Sequence, residues 1–439
     1  MISRRPDFSQ SRRLSERLNH VVPGGAHTYA KGDDQFPDDA APIIVRGEGC
    51  RVWDADGNEL YEYGMGLRSV SLGHAYGPVV DAICDRLKDG TNFTRPARIE
   101  LECAEALRAM VGGDMVKFAK NGSDVTTAAV RLARAVTGRP LVAMCAGQPF
   151  FSFDDWFIGT TPMNAGVPEA VGSLADTFQY NDLDSAAALF ERHPAQIAAV
   201  VLEAETTTPP HPDFLQALVT LAHSHGALVI LDEMITGFRW HNGGARAFYG
   251  IEPDLAAYGK ALGNGFAVSA LVGRRDIMER GGLTHEHPRV FLLSTTHGAD
   301  SVGLAAALAV MRAYDEQPVI DTLWRQGQRL ADGIRAIVAE LSLDGYFEAL
   351  GRPCNLVYAT RDRDRRPSQA FRTLFLREML MRGVIAPSFV VSVAHTDAVI
   401  DATLDRIGEA LIVYKRALAD GVERYLCGRA VKPVMRRYN

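Results

Sequence analysis

No run of apolar residues in this sequence approaches the ~20 needed to span a bilayer. The N-terminal stretch MISRRPDFSQSRRLSERL is basic and polar and lacks an apolar core, so it does not read as a secretory signal. The cysteines at 50, 84, 103, 145, 354 and 427 form no CxxC pair, which argues against a zinc site or a disulfide framework. Reduced thiols and a cytoplasmic location are expected instead. There is no excess of positive charge: 47 Lys and Arg face 53 Asp and Glu, for a net charge of -6. Nucleic acid is therefore not expected as the main partner. Internal repeats and low-complexity linkers are also missing. What remains is 439 residues, 47% hydrophobic and 23% charged, an ordinary globular composition in a chain too long for one small core.

From Leu101 to about Val310, helical and strand patterns alternate. LVAMCA (141–146), IAAVVLEAE (197–205) and ALVILDEM (227–234) are short apolar runs, as in strands covered on both faces. Between them, DVTTAAVRLARAV (124–136) puts Val125, Ala128, Ala129, Leu132 and Val136 on one helical face, and DFLQALVTLAHSHG (213–226) ends in the stop signal Gly226. The alternation implies an α/β fold with a mostly parallel sheet and ligands at the carboxyl ends of its strands. Residues 64–320 are expected to form this large domain. The segment 1–63 and the helix-rich segment 321–439 are expected to share a smaller α+β domain.

Five stretches carry chemistry. GCRVWDADGNELYEYGMG (49–66) reads as a β-hairpin around an Asp-Gly turn, followed by the lone cation Arg68. In KNGSDVTTAAV, Asn121, Gly122 and Ser123 precede an amphipathic helix, a pattern that suits an anion as well as an ordinary N-cap. In LVILDEMITGF, Asp232 ends an apolar strand, where a carboxylate needs a cationic partner unless the loop is solvated. In YGKALGNGF, Lys260 sits among Gly259, Gly263 and Gly265. A solvated surface lysine does not require those glycines, whereas a partly buried amine nucleophile benefits from them. In FLLSTTHGAD, Ser294, Thr295, Thr296 and Gly298 offer hydroxyls and a pliable backbone. The order of anion cradle, buried aspartate, lysine and second anion loop is what pyridoxal phosphate chemistry needs.

These stretches, with VVPGGAHTY and SLGHAYGPVVDAI, resemble the class III aminotransferases, and among them most closely the glutamate-1-semialdehyde aminomutase branch. The resemblance implies a type I pyridoxal-phosphate transferase fold, pyridoxal 5'-phosphate as cofactor, no metal, and a homodimer whose active sites are shared between subunits. It implies that Lys260 is the Schiff-base lysine and that Asp232 bonds the pyridine nitrogen. Gly122 and Ser123 would bind the phosphate, joined by Thr295 of the neighbouring subunit. Met234 falls where an aliphatic residue packs on one ring face, Phe150 where an aromatic ring stacks, and Glu203 on the glutamate beside the cofactor.

The chain also departs from the pattern. Tyr-His-Gly of the relatives is Phe150-Phe151-Ser152, and their Glu-Pro is Glu203-Ala204, with Glu205 following. Ornithine- and aminobutyrate-type relatives carry a second glutamate that gates a glutamate-binding arginine; that position is Thr208 here. The aminomutase's loop Trp aligns with Leu67 and its carboxylate-binding arginine with Lys31. Arg68, Lys31 and Arg95 are the candidates for a substrate anion. The expected activity is an aminotransferase exchanging an amino group between an amino acid or amine and a carbonyl compound. The alternative is an aminomutase, which moves the nitrogen within one molecule, and a third is a scaffold without catalysis, disfavoured by the presence of both Asp232 and Lys260.

Overall fold

The computed structural model describes residues 6–438. The chain divides into two compact units, Met1–Leu67 with Ser71–Tyr76 and Asp321–Asn439, and Arg68–Val70 with Gly77–Ile320.

The second unit is built on a seven-stranded sheet. Across it the strands follow the order Met115–Ala119, Ser269–Gly273, Leu255–Tyr258, Leu228–Asp232, Ile197–Leu202, Leu141–Cys145, Ala175–Phe178. The five strands from Leu255–Tyr258 onward are parallel neighbours, whereas Ser269–Gly273 runs antiparallel to both strands beside it. The apolar runs become strands because both faces are covered. All six residues of Ile197–Leu202 are buried, and so are all five of Leu141–Cys145. The helix Gly122–Thr137 buries Val125, Ala128, Ala129 and Leu132 as its periodicity requires, and Gly138 ends it in the left-handed conformation. Phe214–Ser224 is the second expected helix; its Phe214, Leu215, Leu218 and Val219 pack into one cluster with Val200, Leu202, Val229 and Leu231.

Register places the functional positions. Leu202 pairs with Leu231, so Glu203 follows alongside Asp232; Asp232 in turn pairs with Ala257, three residues before Lys260. Ser269 pairs with Ala119, and its hydroxyl donates to the carbonyl of Asn121 at 2.8 Å. Strand ends on one edge of the sheet thus carry residues 120–123, 203, 232 and 260.

The loop after Asp232 is held by two buried carboxylates. Glu233 accepts the Thr236 hydroxyl and the backbone N–H groups of Ala245 and Arg246, both at 2.8 Å. Glu205 accepts the indole N–H of Trp240 at 2.9 Å and the Tyr249 hydroxyl. Gly244, at φ 83, is required there: a Cβ would lie 2.5 Å from the Glu233 carboxylate.

In the first unit, the strands Ile44–Glu48, Arg51–Asp54, Glu59–Glu62 and Val384–Ile385 form a second sheet in that order. The hairpin turns at Asp54, whose Oδ1 accepts the N–H groups of Asp56 and Asn58, and at Gly57 with φ 82. Val384–Ile385 adds in parallel to Glu59–Glu62, which joins the C-terminal segment to the hairpin. Phe8, Val52, Leu60, Leu376, Leu380 and Ile385 pack beneath them. No helix among the described residues is long and apolar enough to cross a membrane.

The packing makes two outcomes testable. Alanine at Gly327, inside the helix Val319–Glu340, would gain about 1 kcal/mol of helix propensity. Its Cβ would overlap the backbone oxygen of Pro353, which cannot swing away. Overpacking of this kind costs ~1–3 kcal/mol or more, so Gly327→Ala should lower the urea midpoint; a raised midpoint would contradict the packing. The second outcome concerns Glu233. Burial pushes its carboxyl up to about 7 from an ordinary 4.5, against the hydrogen bonds from Thr236, Arg246 and Ala245. Between those values the folded chain holds a proton that the unfolded chain releases. Stability from this group therefore falls as pH rises from 4.5 to about 7 and is level above. Glu233→Gln should flatten that slope in denaturant titrations across the window, and equal slopes would refute the assignment.

Candidate active site

Lys260 follows the strand Leu255–Tyr258 after one glycine and opens the 3-10 turn Lys260–Gly263. Its φ is 46, a left-handed conformation that is unfavourable for a residue with a Cβ. The turn holds it there through the Leu262 N–H on the carbonyl of Gly259, and Asn264, at φ 43, ends the turn. Burial lowers the pKa of the amine. Asp232 and Glu203 act against that shift, and Arg68 and Arg239 reinforce it.

Asp232 is buried at the end of its strand. Its Oδ1 accepts the N–H of Met234 at 2.8 Å. Burial raises its pKa, with the Lys260 charge and the Met234 N–H opposing. Glu203 is raised too, by burial first and then by Asp232, while Lys260 and Arg68 pull it down. Gln148, after the strand Leu141–Cys145, grips the Glu203 backbone from both sides. Its Nε2 donates to the Glu203 carbonyl and its Oε1 accepts the Glu203 N–H, each at 2.7 Å.

Arg68 joins the same cluster. Burial brings its guanidinium down to about 10, Arg239 adds to the shift and Glu203 opposes it. Arg239 is fully buried and donates from Nη2 to the backbone oxygen of Arg68 at 2.8 Å. Two carboxylates and three cations therefore share one poorly solvated region, where each protonation state depends on the others.

The helix Gly122–Thr137 presents its first N–H groups at the edge of this region, with Asn121 as N-cap. Ser123 is buried and its hydroxyl oxygen accepts the Phe153 N–H at 3.0 Å. A Cβ on Gly122 would lie 3.0 Å from the Met234 sulfur, and one on Gly259 only 2.6 Å from it. Met234 thus lies close against both the helix start and the residue before Lys260. Phe150 and Phe151 separate in role. Phe151 is buried edge-on against Phe157 with its carbonyl bonded to Thr126, whereas Phe150 stays open, 47% exposed.

The remaining candidates are dispersed. Thr295 is exposed on the loop before Gly298, and Arg95 is exposed ahead of the helix Arg98–Val111. Lys31 ends an exposed 3-10 turn in the other unit. Thr208 is exposed, while Glu205 is buried and committed to Trp240 and Tyr249. Sequence reasoning missed Gln148, Glu233 and Arg239. Arg239 had one available signal, a cation in the otherwise uncharged stretch MITGFRW that follows Glu233. Gln148 had no comparable signal, because its partner is 55 residues away.

This donor set fits pyridoxal phosphate. A helix N-terminus with a buried serine suits its phosphate, and a buried carboxylate at a strand end suits a protonated ring nitrogen. An amine with a lowered pKa suits its aldehyde. Among the described residues, no group of three His, Cys, Asp or Glu is placed to hold a metal.

Comparison with known proteins agrees. Residues 30–343 match the family model for Aminotransferase class-III. A glutamate-1-semialdehyde 2,1-aminomutase of Desulfitobacterium hafniense is 34% identical over 431 residues, covering 92% of this chain and 98% of that protein. Among solved structures, the FumI protein of Sphingopyxis sp. MTA144 in its PLP internal aldimine form superposes with a TM-score of 0.85. It is 27% identical and covers 93% of this chain and 97% of that one. An omega-transaminase from Sphaerobacter thermophilus gives a TM-score of 0.82 at 27% identity, covering 92% and 97%. The chain belongs to the class III aminotransferases, with the type I pyridoxal-phosphate fold and pyridoxal 5'-phosphate as its cofactor.

Proposed function

We propose that the chain is an aminomutase, moving an amino group within one small anionic amino-carbonyl molecule. The observation that carries this reading is the match along 98% of a relative named glutamate-1-semialdehyde 2,1-aminomutase. The geometry is consistent with it. An enzyme that alternates between glutamate and a chemically different substrate needs a cation it can cover and uncover. Here the gating position is the exposed Thr208, and nearby Glu205 is tied to Trp240 and Tyr249. A single substrate needs only one standing anchor, which we assign to Arg68. Lys31, Leu67 and Phe150-Phe151-Ser152 differ from the aminomutase pattern, so we infer a substrate other than glutamate-1-semialdehyde. Transamination is the second reading, favoured by the 27% identity to an omega-transaminase.

Bound pyridoxal phosphate supplies an aldehyde that condenses with amines and a ring that accepts the electron pair left when a Cα–H bond breaks. Lys260 would hold the cofactor through its amine, and that amine would carry the proton between the two carbon positions. Its lowered pKa keeps a neutral fraction available for that transfer. Asp232 would keep a proton on the ring nitrogen, and that cation would offset the cost of burying the carboxylate. Gly122 and Ser123 would bind the phosphate, joined by Thr295 of a second subunit if the chain forms the homodimer. Met234 would support the cofactor ring, Phe150 would stack on it, and Glu203 would contribute to its pocket. Lys31 and Arg95 are held as alternative anion sites.

Lys260→Ala should abolish turnover while the protein stays folded. Borohydride reduction of the holoenzyme followed by peptide mapping should place the cofactor on Lys260, and a label on another lysine would overturn the role. Asp232→Ala should retain cofactor yet lose roughly 10²–10³-fold in kcat, the scale of one preorganised electrostatic group; turnover near the wild-type rate would remove the aspartate from the mechanism. A screen of amino-carbonyl compounds separates the two functions. An aminomutase loaded with pyridoxamine phosphate converts its substrate with no second substrate present. Release of a keto product that requires an added acceptor would establish transamination instead.

A further inference from the structure

The glycine-rich stretch after the hairpin has an unusual backbone. Met65, Gly66, Leu67 and Arg68 have φ values of 41, 57, 58 and 72, four consecutive residues in the left-handed region. Three of them carry a Cβ, which disfavours that conformation. A turn of this kind persists only where its surroundings hold it.

Glu62 supplies such a hold. Its Oε1 accepts the N–H of Gly66 at 3.2 Å, and its Oε2 lies 2.5 Å from His74 Nε2. A carboxylate only accepts, so His74 donates from Nε2. His74 is fixed in its turn: its backbone exchanges hydrogen bonds with Gly49 at 2.8 and 2.9 Å. A Cβ on Gly47 would meet the His74 ring at 2.9 Å, and one on Gly64 would meet Glu62 Oε1 at 3.0 Å. The glycines thus make room for the Glu62–His74 pair, and the pair holds the turn from which Arg68 departs.

We propose that Glu62 and His74 are positioning residues that hold the Met65–Arg68 turn left-handed and thereby set the affinity of Arg68 for an anionic substrate group. The proposal rests on the reading of Arg68 as the substrate anchor, and its test separates the two. Succinate and its neutral analogue succinamide serve as probes of the holoenzyme, with binding read from the cofactor absorbance. Wild type should bind succinate more tightly than succinamide, and Arg68→Ala should weaken succinate roughly ten- to a hundredfold. Glu62→Ala should weaken succinate about tenfold, leaving succinamide binding and the cofactor band unchanged. His74→Ala should act in the same direction, and His74→Gln, which keeps a donor, should restore binding. If wild type does not prefer succinate, or Arg68→Ala binds it normally, the Arg68 reading fails. If Arg68→Ala weakens succinate while Glu62→Ala and His74→Ala do not, or if they weaken both probes alike, the positioning proposal fails. Should Glu62→Ala not fold, the two His74 variants decide the matter by the same criteria.

Discussion

A carboxylate at the end of a buried apolar strand is the constraint on which the rest of the site depends. Asp232 follows Leu228–Leu231 into a region with little water, and burial pushes its carboxyl up. Lys260 opposes that tendency, and the same burial depresses Lys260. Asp232 in turn opposes the depression of Lys260, so the protonation of each depends on the other. The parallel register that sets Asp232 beside Ala257 brings the two strand ends together.

The scaffold around this pair is held by buried polar contacts. Glu233 and Glu205 anchor the loop that carries Arg239, and Gln148 holds the Glu203 backbone through two hydrogen bonds. An unmade hydrogen bond in such an environment costs ~1–3 kcal/mol, so these segments have little freedom to rearrange. Backbone strain falls on residues next to the chemistry, with Lys260 and Arg68 both at positive φ. That pattern suits a preorganised site, in which side chains are aimed before a substrate arrives.

Much of the arrangement was legible in the sequence because its signals are local. An apolar run ending in Asp232, a lysine among glycines, and Asn121-Gly122-Ser123 before an amphipathic helix are each read within a dozen residues. Strand–helix alternation then orders them along a parallel sheet. The separation of Phe150 from Phe151 was less legible, since two adjacent aromatic residues look alike until the core takes one of them.

By itself, the sequence determined the α/β class and marked Lys260 and Asp232 as candidates at the carboxyl ends of its strands. Those follow from hydrophobic period and turn chemistry, which act over a few residues. Only the tertiary structure decided that Arg239 meets the backbone of Arg68, that Gln148 grips Glu203, and that the glycines around the hairpin seat Glu62 against His74 and Gly66. Except for the Glu62 contact with Gly66, these partners lie 12 to 171 residues apart. No local pattern encodes such pairings; they exist only once the chain has folded.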